Sequence, residues 1–241
     1  MTTQLRRLSM LEMAVRSIVP AGVAVAVTSP RADSDPLWPI EEQAIAEAQP
    51  ARKKEFAAGR TAARKALLAL GRAPSAIPMG GDRAPVWPRA VVGSITHDSK
   101  ACIAVVGERD RFKALGIDIE PALPLEADLF NEICRPEELA WLRQLPFETR
   151  GVVARRFFSV KEAIYKCQYA VSGELFDFHT LSVIFDKQGR FDARLMKDVE
   201  GFAKGTMFRG LTTKSGEQII SLCYLSEGAD FGSEFPNSVI G

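Results

Sequence analysis

Along the chain, short apolar runs with strand-like alternation give way to longer segments in which apolar residues recur at helical spacing. Residues 23–28 are the first predicted strand. A Pro/Asp/Ser-rich connection over 30–39 leads into a helical pattern over about 41–70, which Pro50 divides in two because its ring clashes inside a helix. Phe56, Ala63, Leu67 and Leu70 mark the apolar side of the second part, Arg52, Lys53, Arg60, Arg64 and Lys65 add positive charge, and Gly71 is a suitable C-cap. Residues 78–88 are too dense in Gly and Pro for a regular element and are expected to form an ordered loop. Strands are predicted at 91–96, 101–106 and 114–119. Residues 125–145 turn helical with a break at Pro136, and 149–169 form a second long helix. Short strands follow at 181–185, 191–195, 202–211 and 219–225, and the tail after Glu227 is expected to fray.

This order of elements predicts an α+β protein. Two halves of similar make-up, residues 1–120 and 121–241, are the economical division, although no sequence repeat demonstrates a duplication.

Composition narrows the partners. With 241 residues and 46% apolar content the chain can bury a sizeable core. Lys+Arg and Asp+Glu nearly cancel, 31 against 30, so neither nucleic acid nor an anionic membrane is expected to bind through bulk charge, and any anion recognition must be local. The four cysteines are scattered without a C-x-x-C pair, which suggests neither a zinc site nor a disulfide framework; reduced thiols in cytoplasm are the default. Arg6, Arg7 and the apolar residues 21–26 faintly resemble a secretory signal, but Glu12, Arg16 and Pro20 interrupt the pattern. No window approaches the ~20 apolar residues of a membrane span.

Three constellations could carry chemistry. In Gly116-Ile117-Asp118-Ile119-Glu120, strand alternation sends Asp118 and Glu120 to one face and the isoleucines to the other. Paired carboxylates repel unless a cation lies between them, and hard oxygen ligands suit Mg²⁺; a solvated edge strand is the plainer alternative. In Phe157-Phe158-Ser159-Val160-Lys161-Glu162-Ala163-Ile164-Tyr165-Lys166, Glu162 and Lys166 share a helix face, as a surface ion pair would, or as a catalytic pair would. A capping box from Ser159 and Glu162 is disfavoured, since the preceding residues already read as helix. In Gly93-Ser94-Ile95-Thr96-His97, a strand-end histidine beside hydroxyls could donate to a phosphate or could be structural. His179 carries only the structural reading.

Taken in order, G-S-I-T-H, G-I-D-I-E and F-S-V-K-E-A-I-Y-K resemble the signature of the Sfp/EntD-type 4′-phosphopantetheinyl transferases. Arg52, Glu55-Phe56, Gly59-Arg60 and the loop 81–88 resemble the EntD-like branch. The resemblance implies two α+β halves related by pseudo-two-fold symmetry, with coenzyme A in the cleft between them. It implies Asp118, Glu120 and Glu162 as ligands of Mg²⁺, His97 and Lys166 on the pyrophosphate, and Arg52, Arg60 and Arg83 around the 3′-phosphate and adenine with Thr96 nearby. The implied reaction moves the phosphopantetheine arm of coenzyme A to a serine of an apo acyl- or peptidyl-carrier protein and releases adenosine 3′,5′-bisphosphate. Glu162 would take the serine proton, directly or through water. Siderophore, nonribosomal peptide or polyketide synthesis is the expected setting, and a monomer the expected state. Residues 125–142, with Phe130, Ile133, Arg135 and Trp141, could dock the carrier, or could simply belong to the core. A non-catalytic module that binds coenzyme A or a carrier, and a magnesium-dependent phosphatase or nucleotidyl transferase, are the rival classes; the latter leaves F-S-V-K-E-A-I-Y-K unexplained.

Overall fold

The structure is a computed structural model that describes residues 3–227; the tail expected to fray lies outside the described residues. The chain opens with α1 (Thr3–Arg16), which the interrupted apolar pattern had not announced as a helix, followed by β1 (Val23–Thr28). Next come α2 (Pro39–Gln43) and α3 (Pro50–Ala69), divided as Pro50 requires, then β2 (Val91–His97), β3 (Cys102–Glu108) and β4 (Phe112–Pro121). After α4 (Phe130–Ile133), α5 (Pro136–Leu142) and α6 (Phe147–Ser172) come β5 (Leu181–Phe185), β6 (Arg190–Leu195), β7 (Met207–Ser215) and β8 (Gln218–Ser226), the last elements of the described residues. Gly71 caps α3 with a φ of 81°, and Gly173 caps α6 with a φ of 66°. The third short strand of the C-terminal meander starts at Met207 rather than Phe202, because Gly205 turns the chain first and Phe202 only bridges back to Val199.

The fold is α+β with two antiparallel sheets, a three-stranded one in the order β1-β3-β2 and a five-stranded one in the order β4-β8-β7-β6-β5. The division suggested at residue 120 thus falls within β4, a strand paired to β8 from Phe112↔Ser226 to Pro121↔Gln218. One core cluster joins Leu11 and Val15 of α1, Val25, Ile103 and Val105 of the smaller sheet, and Ile117, Ile119, Ile220 and Leu222 of the larger. α3 covers the opposite face of the smaller sheet through its alanines 62, 63 and 66 and Leu67. α6 covers the opposite face of the larger sheet, with Phe157, Val160 and Ile164 packed on Phe208, Cys223 and Leu225. All four cysteines are free and buried. Among the described residues no helix is long and apolar enough to cross a membrane.

Two local devices position the site. At Gly116 the backbone of β4 meets α6: an added Cβ would lie 2.0 Å from the Ala163 carbonyl oxygen and 2.6 Å from the Cys167 nitrogen. The second device is a seam between the sheets. β2 and β4 are neighbouring edge strands, and the hydroxyls of Ser94 and Thr96 accept the free N–H groups of Ile117 at 3.1 Å and Ile119 at 3.3 Å. Side chains thus satisfy an edge that would otherwise need a further strand.

A buried ion pair fixes the region below α6. Lys161 donates to Glu138 at 2.7 Å and to the Ile133 carbonyl at 2.8 Å, while Glu138 also accepts the Val183 N–H on the outer edge of β5. Ile133 and Leu142 are buried, and Phe130 and Trp141 pack against the same core, so the apolar residues of 125–142 serve packing. Arg135 is likewise occupied, by Glu137 and the His179 carbonyl.

Gly116→Ala is expected to lower stability by about 3 kcal/mol or more, because backbone atoms of α6 rather than a yielding side chain stand in the way. The urea midpoint checks this; an unchanged midpoint would mean that α6 does not rest on β4 as described. Lys161→Ala should lose roughly 3–5 kcal/mol by leaving Glu138 buried without its cation.

Candidate active site

α3, the loop after it, and the ends of β2 and β4 enclose a cleft of about 250 Å³ lined by Arg52, Glu55, Phe56, Gly59, Arg60, Arg83, Pro85, Ile95, Thr96, His97, Asp118 and Lys166. Seven residues singled out in the sequence, Arg52, Arg60, Arg83, Thr96, His97, Asp118 and Lys166, share this one lining. Glu120 and Glu162 do not line it; they stand beside Asp118 on the flank formed by β4 and α6.

The cationic wall is built from α3 and the loop. Arg60 donates through Nε to the Ile77 carbonyl at 2.6 Å, and its guanidinium lies 3.9 Å from the centre of the Phe56 ring. Burial draws its pKa down to about 10, which leaves it charged at neutral pH. Arg83 holds a φ of 70°, a left-handed conformation that non-glycine residues seldom adopt. The turn around it is closed by Gly80 N–H to Ala84 O at 2.8 Å and Arg83 N–H to Gly80 O at 2.9 Å, and Tyr169 of α6 ties Asp82 down at 3.1 Å. A strained residue held this firmly in a cleft lining points to function.

His97 stands at the end of β2 with Nε2 2.7 Å from an Arg52 nitrogen and Nδ1 3.8 Å from Glu55. A guanidinium has no acceptor, so Nε2 accepts and the proton of the neutral ring resides on Nδ1. Burial lowers the imidazole pKa; Glu55 opposes that, and Arg52 and Lys166 add to it.

On the other wall, Ile117 and Ile119 enter the core while Asp118 and Glu120 take the opposite face of β4, beneath α6. Lys166 donates to Asp118 Oδ1 at 2.6 Å, to Thr96 Oγ1 at 3.2 Å and to the Ile117 carbonyl at 3.2 Å. Thr96 also donates to Asp118 Oδ1 at 3.3 Å, so one hydroxyl links both sheets and α6. Asp118 Oδ2 is buried and has no hydrogen-bond partner among the described residues. Glu120 accepts from Arg155 at 3.3 Å; burial, and then Asp118, push its pKa up to about 7. Burial likewise raises the Glu162 pKa, with Lys166 opposing and Asp118 reinforcing. Ser159, between them on the helix, is buried and donates to Ser221 at 2.9 Å, well inside α6 rather than at a cap.

Among the described residues no three His, Cys, Asp or Glu side chains converge as a ready-made metal cage. The donor set nevertheless fits Mg²⁺, which is commonly held by one or two carboxylates completed by waters and substrate phosphates. Asp118 Oδ2, a buried carboxylate oxygen without a donor, is the atom that fits such an ion best.

Two participants were not assigned roles from sequence. Glu55 lies one helical turn from Arg52, and Arg155 lies two turns before Glu162 on the stripe of α6 that faces β4. Helical spacing was the available signal for both, but each becomes informative only once its partner on another element is known.

An α+β fold with an arginine-lined cleft beside a carboxylate flank is the arrangement that a phosphate-bearing ligand would need. Residues 40–107 match the model of the 4′-phosphopantetheinyl transferase N-terminal domain, and residues 114–223 that of the 4′-phosphopantetheinyl transferase superfamily. The chain is 34% identical over 172 residues to 4′-phosphopantetheinyl transferase Npt of Nocardia iowensis, covering 71% of this chain and 77% of that protein. It is 34% identical over 194 residues to 4′-phosphopantetheinyl transferase PptT of Mycobacterium tuberculosis, covering 76% and 85%. Enterobactin synthase component D of Escherichia coli is 34% identical over 139 residues, 56% of this chain and 63% of that protein. The chain belongs to the 4′-phosphopantetheinyl transferase family, Sfp/EntD type, and is a transferase of this kind.

The raised Glu120 pKa sets a pH dependence. A carboxyl whose folded pKa lies near 7 rather than 4.5 binds its proton more tightly in the folded state, so its contribution to stability falls as pH rises through that window. Metal-free protein should therefore lose thermal stability between pH 5 and pH 7.5 more steeply than Glu120→Gln does, as read by melting temperature in EDTA; parallel curves would remove the perturbation.

Proposed function

We propose that the protein transfers the 4′-phosphopantetheine arm of coenzyme A to a serine of an apo acyl- or peptidyl-carrier protein, with Mg²⁺, releasing adenosine 3′,5′-bisphosphate. The observation that carries this reading is the meeting of Arg52, Arg60, Arg83, His97 and Lys166 with Asp118 in one cleft of a chain from this family. Coenzyme A has phosphates at two separated places, and the cleft has cations at two: Arg52, Arg60 and Arg83 on the α3 side, Lys166 on the β4 side. The first group suits the 3′-phosphate and adenine, where an arginine fork can grip phosphate oxygens and stack. His97, between the two groups, and Lys166 suit the pyrophosphate.

In this reaction the serine oxygen attacks the β-phosphorus, the bond from that phosphorus to the bridging oxygen breaks, and the electron pair leaves with adenosine 3′,5′-bisphosphate. Asp118, Glu120 and Glu162 would hold the magnesium, which would supply neutralisation of charge on the pyrophosphate. Glu162 takes the serine proton, directly or through one water. Its raised pKa, and the absence of any hydrogen bond to its carboxylate among the described residues, suit that duty. Lys166 anchors Asp118 and neutralises charge on the leaving side. Thr96 keeps both in place.

The Mg²⁺ requirement, the product and the residue roles are part of this proposal, as is a cytoplasmic monomer; four buried free cysteines suit a reducing compartment. A relative named for enterobactin synthesis supports carriers of nonribosomal peptide or siderophore assembly, with polyketide carriers chemically equivalent.

Incubation with coenzyme A, Mg²⁺ and a panel of apo carriers should add one phosphopantetheine mass to at least one carrier; no gain on any would count against the reading. Asp118→Ala and Glu162→Ala should each cut kcat by about 100-fold or more without unfolding the protein, and full activity in excess EDTA would remove the metal. Arg83→Gly removes a cleft cation and relieves a left-handed non-glycine, so KM for coenzyme A should rise while the melting temperature does not fall. An unchanged KM would take Arg83 out of the binding site.

A further inference from the structure

On α6, Arg155, Ser159, Glu162 and Lys166 follow one another at spacings of four, three and four, and so form a single stripe along β4 and β8. The two ends of this stripe carry cations, and each cation holds one carboxylate of β4: Lys166 takes Asp118 at 2.6 Å, and Arg155 takes Glu120 at 3.3 Å. The two contacts differ in quality. Lys166 makes three hydrogen bonds, the shortest of them to Asp118. Arg155 makes one long bond through a terminal nitrogen, while its Nε is buried with no partner among the described residues. A guanidinium on a carboxylate is commonly a short two-bond fork, so Arg155 holds Glu120 loosely and leaves a buried donor unpaired.

The geometry points to Arg155 as an internal counter-ion that occupies Glu120 until a divalent cation displaces it. This inference rests on the magnesium-dependent reading above and adds a positioning residue to it. Three carboxylates, Asp118, Glu120 and Glu162, are gathered on this flank, and the two cations of α6 let them stand together before any ion arrives. Mg²⁺ is small and takes oxygen ligands at short range, so a Glu120 that coordinates it must turn from the guanidinium, and the like charges of ion and arginine drive the two apart. The loose single bond makes that exchange inexpensive, whereas the short Lys166 contact keeps Asp118 in place throughout. Entry of the cation therefore has a fixed order of release, Glu120 first, with Asp118 offering its unpartnered Oδ2 without leaving its lysine.

The test is calorimetric titration of the full chain with MgCl₂ alone, without coenzyme A, for the wild type, Arg155→Gln, Glu120→Gln and the double variant. If Arg155 competes for Glu120, Arg155→Gln should bind Mg²⁺ roughly five-fold more tightly than the wild type, and the gain should vanish when Glu120 is already glutamine. An equal or weaker affinity in Arg155→Gln, or an undiminished gain in the Glu120→Gln background, would overturn the inference and leave the transferase reading standing. Absence of any Mg²⁺ binding by the wild type, together with transfer that persists in EDTA, would overturn both. A crystal structure with Mg²⁺ gives an independent readout that does not depend on how the variants fold. Arg155 and Glu120 should be more than about 4 Å apart there, and a retained ion pair would refute the exchange.

Discussion

The crossing of α6 over β4 is the contact on which the site depends, and it is set by sterics before any charge is considered. At Gly116 the helix comes so close that even a methyl group would overlap the Ala163 carbonyl. That distance decides what the flanking residues can do. Two residues further along the strand is Asp118, within reach of Lys166; two further again is Glu120, within reach of Arg155. Were the helix held off by a side chain at 116, these pairs would become water-separated and the carboxylates would be ordinary surface acids. Glycine here acts through close approach of two backbones, not through an unusual φ.

From this contact follows the electrostatic character of the site. The cleft walls have opposite tendencies: α3 and the loop 78–88 bring arginines, and β4 brings carboxylates, with His97 and Lys166 between them. A near-neutral chain can thereby recognise a polyanion, because the cations it has are concentrated where the ligand goes. Arg64 shows the contrast. It lies on the same helix as Arg60 but is spent on buried Glu41, which it holds at 2.9 Å while Glu41 also accepts the Ile77 N–H. Two arginines one turn apart thus divide the work, one holding the loop base together and the other facing the cleft.

Much of this was legible in the sequence, and the parts that were not have a common physical reason. The alternation of Ile117, Asp118, Ile119 and Glu120 announced a strand with two unlike faces, and Pro50 announced the start of α3, because both signals are local. α1 was obscured by the mixture of Arg6, Arg7, Glu12 and Arg16 with its apolar residues, of which only Leu11 and Val15 are buried; it is helical largely because the inner core holds it. Residues 125–142 had a strong apolar pattern that sequence alone could assign either to docking or to packing, and the structure shows Ile133 and Leu142 buried and Phe130 and Trp141 packed, partly buried, against the same core. The roles of Ser94, Glu55 and Arg155 were not legible, since each is defined by a partner on a distant element: the Ile117 N–H, His97 and Glu120.

The seam between β2 and β4 has a consequence for how this architecture can diversify. The two sheets meet there through hydroxyls on side chains and not through a ladder of backbone bonds. A backbone ladder fixes strand spacing at about 4.8 Å whatever the sequence, whereas a side-chain bridge takes its length from the residue that makes it. Positions 94 and 96 therefore act as spacers: a change at either resets the gap between the arginine wall and the carboxylate wall while both sheets keep their own registers. The aperture of the cleft is in this sense encoded by two small side chains, and can be retuned without redesigning the fold around it.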